Sequence, residues 1–163
     1  SIEPETYNDA WSCEQGSWML PARLEQFVGA KASHDAEPLP IGDDFAAVVL
    51  DITAVDNLVD AELRRGYGRE IGRILRPGGV AMVVTFARDD GYYGRWLEGS
   101  PWRGQGVVED PNTNIRNQLF TVAELDAVFV PPLVREVGST LVFIDNAAGT
   151  AWTRRFLMHI YRG

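Results

Sequence analysis

A single cysteine, Cys13, stands among the 163 residues, which excludes an internal disulfide and any multi-cysteine metal site. With no sign of a disulfide-dependent secreted fold, a cytoplasmic or organellar setting, mitochondria included, is expected. Lysine is as scarce. Lys31 is the only one, so positive charge is almost all guanidinium, suited to bidentate carboxylate pairing within the protein or with a partner. Fifteen basic residues face 23 acidic ones for a net charge of −8, which disfavours phosphate-driven binding to nucleic acid and to anionic membrane surfaces. No apolar run approaches the ~20 residues that cross a bilayer; Ala46 to Leu50 and Val80 to Val84 are too short, and membrane insertion is not expected. The two histidines, His34 and His159, lack carboxylate or cysteine companions at metal-ligand spacing, so no metal site is expected. The first residues are neither apolar nor Arg-rich, and no targeting peptide is expected within the chain.

A hydrophobic fraction of 45% with 16 Gly and 9 Pro is that of a globular protein, and the length suits one domain with a sizeable core. Residues 1–17 mix acids, Pro4, Tyr7 and Trp11 without a period and read as an N-terminal arm, leaving 18–163 as the domain. Met19, Leu20, Leu24, Phe27 and Val28 recur at helical steps and predict a short helix from Trp18 to Val28. Val28 to His34 is a weak strand candidate, followed by a turn-rich stretch from Asp35 to Asp44. Phe45 to Leu50 is a continuous apolar run bounded by acids, the pattern of a parallel strand covered on both faces.

A helix of about twenty residues is predicted next, because Val55, Leu58, Val59, Leu63, Tyr67, Ile71, Ile74 and Leu75 keep to one face. Pro77-Gly-Gly79 stops it, and Val80 to Phe86 is a second buried strand. Strand, helix, turn and strand make a crossover joining parallel strands, the unit of a doubly wound sheet. Arg88 to Asn117 is long, glycine-rich and aromatic, and reads as a loop that is either functional or docked on something. Thr121 and Glu124 form a capping-box pattern ahead of Val122, Leu125, Val128 and Phe129, with Pro131-Pro132 after them. Leu133 to Ile144 and Arg154 to Tyr161 are β-branched and aromatic runs joined by Asp145 to Gly149, an antiparallel hairpin.

In order, these segments resemble the class I S-adenosylmethionine-dependent methyltransferase family, of the methyltransferase type 11 kind. Three stretches carry the likeness: His34-Asp-Ala-Glu-Pro-Leu-Pro40 with Gly42-Asp-Asp-Phe-Ala-Ala-Val-Val-Leu50, then Arg69-Glu-Ile-Gly-Arg-Ile-Leu-Arg-Pro-Gly-Gly-Val80, then the helix at Phe120 to Leu125 with its closing hairpin. Val49 to Val59 is similar, more loosely, to the protein-lysine branch. The resemblance implies an α/β, Rossmann-like fold with a mostly parallel sheet, truncated or degenerate at its N-terminus. It makes Asp35 and Ala36 candidates for the adenine-binding position, and Gly16, in Cys13-Glu-Gln-Gly-Ser17, the nearest candidate for a cofactor loop.

Two departures qualify the likeness. The family pattern begins with a strand and a Gly-x-Gly loop whose bare backbone approaches the cofactor; such a unit takes ~30 residues, and the irregular arm and a helix already occupy residues 1–34. Ala46 also stands where the family usually has Asp after the Phe. The residues therefore predict a methyltransferase-like domain without a complete cofactor site, acting as a structural or accessory subunit among other protein chains in a hetero-assembly or homodimer. The competing expectation is an active enzyme that uses S-adenosylmethionine on a small molecule or a protein side chain.

Asp51 and Thr53 follow the first strong strand, where open α/β sheets gather ligands. Asp51 is a candidate cofactor or acceptor ligand and either residue is a candidate catalytic group, or simply the cap of the long helix. Tyr92, Tyr93, Trp96 and Trp102, with Arg95 and Arg103, are candidates for a substrate wall or a protein interface.

Overall fold

A computed structural model describes residues 41–147 and 149–163. The expected arm at 1–17, the helix from Trp18 to Val28, the strand from Val28 to His34 and the candidates Gly16, Asp35 and Ala36 lie outside them. The described residues form one unit whose centre is a four-stranded sheet in the order β1-β2-β6-β5. These strands are β1 (Ala46–Ile52), β2 (Leu75–Phe86), β5 (Val134–Ala147) and β6 (Thr150–Arg162). β1 runs parallel to β2, with Leu50 beside Met82 and Ile52 beside Val84, while β2, β6 and β5 pair antiparallel. The parallel pair joined by a helical crossover is as the sequence predicts, but β2 begins at Leu75, so Pro77-Gly-Gly79 lies within the strand and does not stop the helix.

The crossover helix is shorter than expected. Only α1 (Ala61–Ile74) is helical, and the segment before it is a 3-10 turn at Val55–Asn57. The cap is Asp60, whose carboxylate accepts from the backbone N–H of Glu62 and Leu63. The apolar period that runs back to Val55 reports burial of the turn, since Val55 is fully buried; a side-chain cap inside the run overrides that period.

The long segment after β2 is not structureless. It holds α2 (Gly94–Leu97), a 3-10 turn at Arg103–Gln105 and a small antiparallel pair, β3 (Val107–Glu109) with β4 (Arg116–Gln118). α3 (Val122–Phe129) then starts with the predicted capping box, Thr121 and Glu124 satisfying each other's backbone N–H groups.

α1 and α3 cover one face of the sheet. Ile71 and Ile74 of α1 and Leu125, Val128 and Phe129 of α3 are buried, as are Ala81, Val83, Leu157 and Tyr161 of the strands. Phe129 stacks on Tyr161 with ring centres 4.8 Å apart. The helices approach through Gly68, where a Cβ would lie 1.8 Å from the Val128 carbonyl oxygen.

The opposite face differs from expectation. Val48, Leu50 and Ile52 are 56%, 63% and 54% exposed, so β1 is covered on one face only among the described residues. Parallel strands read as continuously apolar because both faces are normally buried.

Candidate functional site

The candidates gather where β1 and β2 end. Thr53 has a positive φ of 55° and its N–H donates to the Val84 carbonyl at 2.8 Å, so it turns the chain off the strand. Asp51 is 2% exposed. Its Oδ1 accepts from the Ala54 N–H at 2.9 Å and the Val55 N–H at 3.3 Å, and its Oδ2 from the Tyr67 hydroxyl at 2.9 Å. Neither residue caps the long helix, correcting that alternative: Asp51 accepts from the N–H groups of Ala54 and Val55 at the 3-10 turn, and the helix begins further along, with Asp60 as its cap.

Burial pushes the Asp51 carboxyl above its usual range, against the three hydrogen bonds that favour the charged form. Burial likewise holds the Tyr67 phenol well above its ordinary value, with the Asp51 charge adding to the effect.

Asp56, in the 3-10 turn, escaped sequence reasoning. It is fully buried and neither carboxyl oxygen has a hydrogen-bonding partner among the described residues. Burial, with the Asp51 charge second, raises its pKa well above the ordinary value. Burial without a partner favours the protonated form of a carboxyl over the charged one. Thr85 Oγ1 and Gln118 Oε1 are also buried without partners, and the turn that carries Asp56 packs against the strands that carry both. The segment reads as helix in sequence, which hid an acid on an apolar flank.

The aromatic candidates divide. Tyr92, Tyr93 and Trp96 pack together at ring separations of 4.9 to 5.9 Å. They cover Phe86, which lies 4.5 Å from Tyr93, and are joined by Trp152 of β6, which the sequence reading missed. Burial pushes the Tyr93 phenol up to about 12. Arg95 lies over Tyr92, Trp96 and Trp152 at 4.8, 4.3 and 3.9 Å.

Beneath the cluster, Asp90 is 1% exposed. It accepts from Arg154 Nε at 2.9 Å, from the Arg155 N–H at 2.8 Å and from the N–H groups of Tyr92 and Tyr93. This pair docks the loop on β6; the Asp89-Asp90-Gly91 turn was its sequence signal. Trp102 is apart. It lies under Arg116 at 4.2 Å and lines a shallow cleft of about 170 Å³ with Val59, Asp60, Gln105 and Val107.

These residues offer structure more readily than reactivity. Both Asp51 oxygens are occupied by its own chain, and the cluster is filled by Arg95. His159 has Tyr161 at 3.1 Å and Asp126 at 3.6 Å, and burial lowers its pKa. No group of three or more metal-ligating side chains gathers among the described residues, and no helix among them is long and apolar enough to cross a membrane.

A strand–helix–strand crossover continued by a terminal antiparallel hairpin, with helices on one face, defines an α/β domain of the methyltransferase kind. No family model matches the chain. A curated relative, the mouse tRNA N(3)-cytidine methyltransferase METTL2, is 27% identical over 109 residues, which is 67% of this chain and 27% of that protein. Among solved structures, an S-adenosylmethionine-dependent methyltransferase from Methanosarcina mazei aligns with a TM-score of 0.63 at 17% identity, over 79% of this chain and 64% of that one. A putative methyltransferase of Haloferax volcanii, in complex with the Trm112 methyltransferase activator, aligns with a TM-score of 0.51 at 20% identity, over 79% of this chain and 59% of that one. In fold and in sequence the chain is similar to class I S-adenosylmethionine-dependent methyltransferases. It spans about a quarter of the length of the curated relative and under two thirds of these solved chains.

Proposed function

We propose that this chain is an accessory, methyltransferase-like component of a larger protein assembly, without a complete S-adenosylmethionine site of its own. The observation that carries the reading is the condition of β1. It is the outer strand of the described sheet, with Val48, Leu50 and Ile52 more than half exposed, and an open edge beside an apolar face invites pairing. The occupant would be a polypeptide that continues the sheet beyond β1. More than a third of each of the two solved neighbours has no counterpart in this chain. The Haloferax neighbour is itself held by a protein activator.

Asp51, the candidate among the described residues for holding the donor, has its oxygens engaged by Ala54, Val55 and Tyr67, which supports this reading. Calorimetry of the purified chain with S-adenosylhomocysteine tests this reading. No heat of binding at roughly millimolar ligand is expected; binding tighter than that, weakened by Asp35→Ala, would overturn the accessory role.

A second reading, an active enzyme, is favoured by the likeness to a methyltransferase and by the unpartnered Asp56 near the C-terminal end of β1, where open sheets collect ligands. The bound donor would supply a methyl group on a sulfonium, and this chain would position the acceptor. A small molecule or a protein side chain suits the net charge of −8 better than the tRNA named for the mouse relative.

A further inference from the structure

The sheet has a second edge, and it is unlike the first. Among the described residues β5 pairs only with β6, and all its residues from Val134 to Leu141 are exposed. Val137 to Ile144 carries eight residues without a charge or a proline, and Val142, Phe143 and Ile144 are 58%, 45% and 63% exposed. Natural edges are usually guarded by lysine, proline or an inward charge. This one is guarded only by a bulge near its start, between Arg135 and Val137. We infer that β5 pairs antiparallel with β5 of a second copy of this chain, making a two-fold dimer in which the two described sheets join into one.

Geometry restricts the register. A two-fold axis between identical antiparallel strands must stand perpendicular to the sheet, so residues facing each other across it point to the same side. The axis therefore passes through a residue rather than between two. Centred on Thr140, the register sets Gly138 opposite Val142, Ser139 opposite Leu141 and Val137 opposite Phe143, so that at the inner pairs a small residue meets a larger one.

The bordering charges are already balanced within one chain. Arg135 binds Asp126 at 2.7 Å, Asp145 binds Arg154 at 3.1 Å, and Glu136 binds Arg162. The strand thus docks without stranding a charge. β1 offers a shorter stretch for the same pairing, with Asp44 and Asp51 at the two ends of its apolar run, while Asp43 is already held by Arg73.

Light scattering after gel filtration, on the full 163-residue chain with Cys13→Ser, tests the dimer. A closed dimer is expected at micromolar concentrations. Its dissociation constant should fall on raising salt from about 20 to about 300 mM, since two chains of charge −8 repel at long range until screened. Thr140→Lys sets two ammonium groups face to face and should weaken the dimer at least about tenfold, and Val142→Lys should do the same, both without change in the far-ultraviolet circular dichroism. Thr140→Cys should form a disulfide dimer readily. Leu141→Cys should not, its own copy lying beyond the ~7 Å Cα separation a disulfide tolerates. A monomer at 100 µM, an oligomer indifferent to both lysine variants, or crosslinking stronger through Val48→Cys than through Thr140→Cys would overturn the inference. Each of these outcomes leaves the calorimetric test of the accessory role standing.

Discussion

One sheet shows two faces of nearly the same composition and opposite fates. On the covered face Ala81, Val83, Leu157 and Tyr161 lie under α1 and α3 with almost no exposure. On the open face Val48, Leu50 and Ile52 stand beside Val80, Met82 and Val84, with Met158 and Ile160 across β2, half-buried or exposed. Among the described residues only its end is roofed, where Tyr93, Trp96 and Leu97 pack on Phe86 and Phe156. The apolar run of a strand reports that something must cover both faces, and it is silent on which polypeptide supplies each cover.

The comparison is broken most directly by truncating one residue on each face. Phe129→Ala should lower stability by about 3–5 kcal/mol, since it empties the space between α3 and Tyr161. Leu50→Ala should cost under about 1 kcal/mol in the isolated chain, because little transfer energy is lost from a side chain already in water. Urea unfolding measures both. Equal losses would mean that β1 is covered in solution and that the two faces do not differ.

Gly68→Ala sharpens the covered side. Alanine is the better helix former by about 1 kcal/mol, yet its Cβ would meet the Val128 carbonyl at 1.8 Å. The α1–α3 contact must then open, and a net loss of about 2–3 kcal/mol is expected. A gain in melting temperature would show that the helices are not held this closely. Thr121→Ala is a smaller probe of the same cover: losing one half of the capping box should cost about 1 kcal/mol, read as a shift of the urea midpoint at unchanged slope.

The parts of this architecture that were legible were those set by local chemistry. Thr121 with Glu124 fixed the start of α3, and the paired apolar runs around Asp145 to Gly149 announced the hairpin. The start of α1 was not legible, because Val55 and Leu58 extend an apolar period that Asp60 cuts. The cluster around Tyr92 was visible as composition, but its members were not: Trp102 belongs to a separate cleft, and Trp152, 50 residues further on, completes the group through the hairpin. Asp56 left no trace, since burial of a lone acid is a tertiary event with no spacing to mark it. Gly16, Asp35 and Ala36 rest on the family likeness, outside the described residues.

The last test concerns that acid and turns on sign more than size. Burial raises the Asp56 pKa well above 3.8, with the Asp51 charge adding to it. A carboxyl whose pKa is higher in the folded chain than in the unfolded one favours folding most fully below the unfolded value; that contribution is lost as pH rises through the folded pKa. Asp56→Asn keeps the shape and cannot ionise. The variant should therefore gain on the parent as pH rises from about 4. Thermal melts across that range measure the difference. If the two curves run parallel, Asp56 has a partner that the described residues do not supply, which would move the cover of this region, like that of β1, to another polypeptide segment.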